Sequence, residues 1–318
     1  EVCGDMIEII NPGWFSIVVD RGRYGYADAG VPPSAALDHF SYSMVNYLVG
    51  NEMGGPVLEV IGSGFSLKFD VDVTCAVTGA EVIAYLDKRP VTPWRSFTAR
   101  AGSTLRVKEV LEGFRYYIGF SGTMEADRVI NSFSTNIECR FGGYRGRPFL
   151  KGDRIGLHNT RVMGERFIPD DVLPSLAPPY VLRILQGPEM GRFTEETVGR
   201  LIEGGMQSWY TVSAKVNRTG IRLEGKPLVF KKGADKTIIS EGILPGTIQV
   251  PGDGLPIITL YERTIGGYAR LALVAKADHD LLAHLKPKDK VIFRIIGVEE
   301  AERLWNRKVE HFYRALPQ

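Results

Sequence analysis

The 318 residues are 44% hydrophobic and 24% charged, ordinary for a globular chain of about two domains and incompatible with a coiled coil or a disordered tail. With 39 basic and 37 acidic residues the net charge is +2, so no overall field would gather nucleic acid or an anionic membrane. Cys3, Cys75 and Cys139 contain no C-x-x-C pair, no apolar run reaches the roughly 18–20 residues of a membrane span, and the start, with Glu1 and Asp5, lacks a secretory signal; these features predict a soluble, cytoplasmic protein.

Glycine is the compositional outlier at 36 residues, about 11% against a usual 7%, and predicts a fold rich in turns. Alternation of apolar and polar residues predicts strands at Ile7 to Ile10, Phe15 to Val19, Val57 to Ile61, Phe65 to Phe69, Leu105 to Val107 and Tyr116 to Phe120. Between them, Leu37, Phe40, Met44, Val45 and Leu48 fall at helical spacing, predicting a helix over 34–49 with Ser34 as N-cap and Gly50 as terminator. Leu86 to Val91 reads as a hairpin tip. Four prolines in "PDDVLPSLAPPY", from Pro169 to Tyr180, mark a linker. Beyond it come a strand at Val181 to Leu185, a helix at Thr194 to Ile202, and strands near Tyr210, Ile221, Ile248, Pro256 to Leu260 and Leu271 to Ala275. Helices at Asp278 to Leu285 and Val298 to about Arg314 enclose a strand at Val291 to Ile295. The expectation is two β-rich domains, 1–175 and 176–318, each with covering helices.

"GIRLEGKP", Gly220 to Pro227, nearly spells a phosphate loop. Pro227 replaces the magnesium-binding hydroxyl and an apolar stretch follows where a helix should start, so the motif is rejected. "GSG" at Gly62 to Gly64 and "GFSG" at Gly119 to Gly122 miss the spacing of a nucleophile elbow. His39, His158, His279, His284 and His311 never form an i, i+4 pair, so no metal site is expected. Three glycine-rich segments remain. The first, Val18 to Asp38, carries Asp20, Arg21 and Arg23. The second, Asn131 to Asp153, sets Arg140, Arg145 and Arg147 among glycines, and guanidinium forks suit a small anion. In the third, Gly246 to Arg270, Gln249 and Asp253 flank a turn and Glu262, Arg263 and Thr264 lead into Gly266, Gly267 and Tyr268. Read alone, each could equally be a structural turn or a solvated loop.

Taken in order, "DRGRYGYADAGVPPSAALD", "NYLVGN", "LEVIGSG", "STNIECRFGGYRGRPFLKGD", "RTGIRLEG", "GTIQVPGDGLPI" and "RTIGGY" resemble the biotin-dependent carboxyltransferase-like family. That family includes the C component of ATP-dependent 5-oxoprolinase, chains labelled allophanate hydrolase subunit 2, the KipA antagonist of a kinase inhibitor, and the carboxyltransferase part of urea amidolyase. The resemblance spans about Ile9 to Phe293. It implies a mainly β fold of two cyclophilin-like β-barrel domains with a few covering helices and the active cleft between them.

The resemblance further implies a non-autonomous subunit of an ATP-dependent amidohydrolase, foremost one opening 5-oxoproline to glutamate. A KipI-like B component and a lactam-utilisation-type A component would be its partners, with neither nucleic acid nor membrane, and ATP would bind here or on a partner. Glu262 and Asp253 would relay protons and Gln249 would hydrogen-bond the amide. Arg147 and Arg263 would bind anionic groups, with Arg23, Asp20, Ser134, Thr135, Thr264, Gly266, Gly267 and Tyr268 also at the substrate. The alternative implied is a KipA-like binding protein that sequesters a KipI-like inhibitor. Carboxyl transfer ranks third: the family's "D-x-Q-T-T-G-G-Y" is here "E-R-T-I-G-G-Y", Ala35 replaces a common glycine, and no M-K-M biotinyl-lysine sequence occurs, so biotin would have to arrive on a separate carrier.

Overall fold

The computed structural model describes residues 5–203 and 208–316, so Cys3 lies outside the described residues. Backbone contacts group these residues into two compact units. The first holds residues 5–23, 34–176 and 312–316, and the second holds 24–33 and 177–311. Both are mainly β, as expected.

The first unit runs β1 (Met6–Asn11), β2 (Phe15–Val19), α1 (His39–Leu48), β3 (Val57–Ile61), β4 (Ser66–Phe69), β5 (Val73–Leu86), β6 (Arg89–Val91), β7 (Ser96–Ala99), β8 (Thr104–Phe120), β9 (Thr123–Met124) and β10 (Arg154–His158). Its sheet has the order β2-β3-β8-β4-β1-β10-β9, and β5 adds pairings to β6, β7 and β8. The two strands predicted at Leu105 to Val107 and Tyr116 to Phe120 are one strand. Its first half pairs β4 and its second half pairs β3, while three register shifts along the β5–β8 ladder bend it between the two. Alternation found only its ends, because the middle is exposed and irregular. β5 gave no period-two signal because its first eight residues are all buried.

The helix also starts later than expected. Asp38, not Ser34, caps α1: its Oδ1 accepts the Ser41 N–H at 2.9 Å. Residues 36–38 donate their N–H groups elsewhere, to Asp20 O, Glu59 Oε2 and the Tyr117 hydroxyl, so tertiary partners compete successfully with a first helical turn. Gly50, at φ +68°, ends the helix as predicted. Phe40, Met44, Val45 and Leu48 pack on Ile17, Val19, Ala76 and Tyr117. A second core, built around Ile7, Ile9, Leu67, Phe69 and Ile118, fills the curl of the sheet.

The second unit runs β11 (Tyr180–Gln186), α2 (Glu195–Glu203), β12 (Trp209–Val216), β13 (Gly220–Glu224), β14 (Thr237–Gly242), β15 (Thr247–Val250), β16 (Ile257–Thr259), β17 (Ile265–Val274), α3 (His279–Leu282), β18 (Lys290–Ile295) and α4 (Val298–Arg314). Its strand order is β11-β18-β12-β13-β16-β15-β17-β14, and β11 also pairs with β17. The sheet therefore closes on itself, with β14 appended outside the ring. The phosphate-loop look-alike at Gly220 begins strand β13 and pairs β12 and β16. α3 is shorter than the expected Asp278 to Leu285: it ends in i→i−3 bonds, Ala283 N–H to Asp280 O at 3.1 Å and His284 N–H to Leu281 O at 2.9 Å, and at its start Asp278 turns its carboxylate to Arg183, accepting its backbone N–H at 2.8 Å and its Nε at 2.9 Å.

Candidate functional site

The residues singled out above fall in both units. In the first unit, Asp20 follows β2 and is 3% exposed. Its Oδ1 accepts from Gly22 N–H at 2.7 Å, Ser132 Oγ at 2.6 Å and Ser134 Oγ at 2.8 Å, and its Oδ2 accepts from Phe133 N–H at 2.6 Å. Three of these four donors fasten the 132–134 turn to the end of β2, and the fourth closes a local turn at Gly22. Thr135 continues the fastening: its N–H and Oγ1 both donate to Val18 O, at 3.0 and 2.9 Å. Arg23 is buried over the Phe141 ring, 4.8 Å from its centroid, and donates to Val129 O and Ser134 O. Asp20, Arg23, Ser134 and Thr135 are thus brought together. Gly143 lies against Thr135 at φ +62°, where a Cβ would come within 2.9 Å of Thr135 Cβ.

Arg147 stands differently from its expected role. Its Nη1 and Nη2 donate to Asp153 at 2.7 and 2.8 Å in a two-point fork, and Nη1 also donates to Pro148 O. Hydrogen bonding to Asp153 raises the Arg147 pKa. Burial works to raise the Asp153 carboxyl, but the Arg147 fork and the Leu150 N–H outweigh it and hold it below its ordinary range. Arg145 shares the Tyr144 ring with Arg147, and Arg140 and Arg145 are exposed.

In the second unit, Gln249 lies on β15 and is 6% exposed. Its Nε2 is buried and meets no hydrogen-bond acceptor among the described residues. The amide lies over Gly266 of β17, where a Cβ would come within 2.8 Å of Gln249 Cδ and 2.9 Å of Oε1, and closer still to Nε2. Gly266 therefore leaves room for the amide. Gln249's register partner Arg270 is occupied by Glu189, through Nε at 2.8 Å and Nη2 at 2.9 Å. That hydrogen bonding holds the Glu189 carboxyl below its ordinary range against the opposing effect of burial.

Glu262 is buried in the turn before β17, and its Oε1 accepts from Arg218 Nε at 3.1 Å. Arg218, 5% exposed, was not singled out by sequence although it stands in "RTGIRLEG"; nothing local distinguishes it from any other loop arginine. Asp253 is a turn residue, its Oδ1 accepting Leu255 N–H at 3.0 Å and its Oδ2 paired with Arg222. The Leu255 N–H, with Arg222, holds its carboxyl below the ordinary range. Arg263 and Tyr268 are exposed, Thr264 and Gly267 half-buried. The arrangement supplies one orphaned amide donor suited to a carbonyl oxygen and one clamped carboxylate.

Residues 29–295 match the family described as carboxyltransferase domain, subdomain A and B. The chain is 32% identical over 298 residues to the C component of 5-oxoprolinase from Escherichia coli (strain K12), covering 93% of each. It is 29% identical to "Urea amidolyase" of Saccharomyces cerevisiae over 94% of this chain and 17% of that one. Among solved structures, the Kluyveromyces lactis urea amidolyase superposes with a TM-score of 0.89 at 25% identity, over 98% of this chain and 20% of the amidolyase. A family match over most of the chain and an end-to-end relative agree with the closed and curled sheets: the chain belongs to the family of carboxyltransferase domains with subdomains A and B.

Proposed function

We propose that this chain is the C component of an ATP-dependent 5-oxoprolinase, a cytoplasmic hydrolase of several different chains that opens 5-oxoproline to glutamate. The observation that carries the reading is the end-to-end correspondence with the Escherichia coli protein, 93% of both chains. The yeast amidolyase corresponds over only 17% of its own length. The units take the role of cyclophilin-like barrels, and a KipI-like B component and a lactam-utilisation-type A component complete the enzyme. ATP supplies activation of the unreactive amide oxygen. At the phosphate-loop look-alike this chain has a paired strand, Gly220–Glu224, which offers no helix N-terminus to phosphate, so ATP is assigned to a partner.

In this chain, Gln249 would donate Nε2–H to the lactam carbonyl, the acceptor it otherwise lacks. Glu262, held by Arg218, would relay the proton. Asp253 suits that role less, because its depressed pKa makes it a weak base. Arg263 would meet the substrate carboxylate beside Thr264, Gly266, Gly267 and Tyr268. In the first unit, Asp20, Ser134 and Thr135, with Arg23, would keep the shape of the 132–135 loop, while Arg147 keeps Asp153. Purified chain combined with its KipI-like and lactam-utilisation-type partners should release glutamate from 5-oxoproline only with ATP, and Gln249→Ala should abolish release while leaving assembly intact. No glutamate from the complete set, with every component folded, refutes the reading.

The structural likeness to urea amidolyase, TM-score 0.89, favours carboxyl transfer as the second reading. It predicts carboxylation of urea or a related amide when those two partners are replaced by a carrier already bearing carboxybiotin, made from bicarbonate and ATP by a separate biotin carboxylase, with free biotin carrier as the other product.

A further inference from the structure

A cavity of about 360 Å3 opens in the first unit beside the β5–β6 hairpin and the start of β7, and none of the residues assigned above lines it. One wall is tied to the sheet. The 161–168 strap is tied down where Thr74 N–H donates to Arg161 O at 3.1 Å, Met163 N–H to Thr74 Oγ1 at 2.8 Å, Ser96 N–H to Arg166 O at 2.8 Å and Ile168 N–H to Trp94 O at 2.9 Å. The volume is at the lower end of ordinary ligand sites, about 300–1,000 Å3.

The lining has two characters. Val91, Phe97 and Met163 give it an apolar surface, and Arg89, Arg95 and Glu165 give it charge. Arg89 is exposed and makes no ion pair among the described residues. Arg95 rests on the Phe167 ring, 4.9 Å from its centroid. Its contact with Glu165 is 3.7 Å long, between side chains 43% and 64% exposed. That is beyond hydrogen-bond length, and such exposed pairs contribute little. Two guanidiniums against one carboxylate leave one net positive charge beside an apolar wall. A phosphate dianion would face Glu165 and the apolar surface with charge to spare, whereas a single carboxylate on an apolar body matches both characters.

We propose that this cavity is a binding site for a small organic monocarboxylate carrying one ring or a short branched chain, with Arg95 as its principal anchor. The proposal is independent of the reaction assigned above. The probe is 4-fluorophenylacetate, and the reporter is the Met163 methyl in protein labelled with [13C-methyl]methionine, its resonance assigned by Met163→Leu. The acid should shift that resonance saturably, and 4-fluorophenylacetamide should not. Arg95→Gln should weaken the acid by about tenfold to a hundredfold, as expected for loss of a charge-assisted hydrogen bond. Arg89→Gln should weaken it less, and Glu165→Gln should tighten it by removing the negative charge from the lining. The other methionine methyls report whether each variant is folded. The comparison of acid with amide uses the unaltered protein, so an unfolded Arg95 variant does not protect the idea. An unsaturable Met163 shift, equal binding of the amide, unchanged affinity in folded Arg95→Gln, or weaker binding in Glu165→Gln overturns it.

Discussion

Replacing Gly266 by alanine isolates the contact on which the second-unit site is built. Gly266 is not among the residues with positive φ, so its backbone accepts alanine and any cost must come from the new methyl. That methyl would come within 2.8 Å of Gln249 Cδ and 2.9 Å of Oε1, well inside van der Waals contact. The amide, 6% exposed, must then leave its position. Overpacking of this kind costs about 1–3 kcal/mol, and each kcal/mol lowers the melting temperature of a 150–250-residue domain by about 2–4 °C. In a Gln249→Ala background the obstructing amide is gone, so Gly266→Ala should cost less than about 0.5 kcal/mol, and the double-mutant cycle should return a coupling of about 1–2 kcal/mol. Both single variants should lose glutamate release in the reconstituted enzyme, since each removes the Nε2 donor from its position. The assay is thermal and urea unfolding of the four proteins alongside turnover. An equal penalty for Gly266→Ala in both backgrounds, or full turnover in Gly266→Ala, refutes the reasoning.

Further expectations follow from the same structure. Asp38→Ala removes the α1 cap that holds the Ser41 N–H and should cost about 0.5–2 kcal/mol in urea unfolding, with Asp38→Asn recovering most of it. Glu59 and Arg115, 0% and 1% exposed at side-chain level and 3.5 Å apart, form a buried pair. Glu59→Gln or Arg115→Met alone should cost about 3–5 kcal/mol, and the pair of changes together less than their sum, because only the single variants leave a buried charge uncompensated. The Glu189 and Asp253 carboxyls titrate below their ordinary range in the folded chain. On acidification the unfolded chain therefore takes up protons first. Their stabilisation is fully present above the unfolded carboxyl pKa of about 4 and is lost as pH falls through the folded values. Urea midpoints measured between about pH 6 and 3 should decline, and Glu189→Gln should flatten the slope.

Strands with one solvated face were readable wherever they alternate, as at Met6–Asn11 and Tyr180–Gln186. The reading failed for β5, which is buried on both faces over its first half, and for the middle of β8, where bulges break the period. Ser34 looked like a helix start because hydroxyls cap helices in general. Asp38 took the role because Asp20, Glu59 and Tyr117, all distant in sequence, claimed the intervening N–H groups.

The candidate site divides in the same way. Gln249, Glu262 and Gly266 could be named from their motifs, since a glycine turn at a strand end is visible in one dimension. Arg218 and Glu189 could not, because the charges they neutralise come from residues 44 and 81 positions away. Arg147 carried the right chemistry for an anion, and the fold spent its fork on Asp153.

Local order, residue period and turn chemistry belong to the amino-acid string itself, because they depend on neighbours a few positions apart. Which donors and charges are already satisfied was decided only by the tertiary structure, since a buried hydrogen bond is made by whichever partner the folded chain brings within about 3 Å, whatever its distance along the backbone.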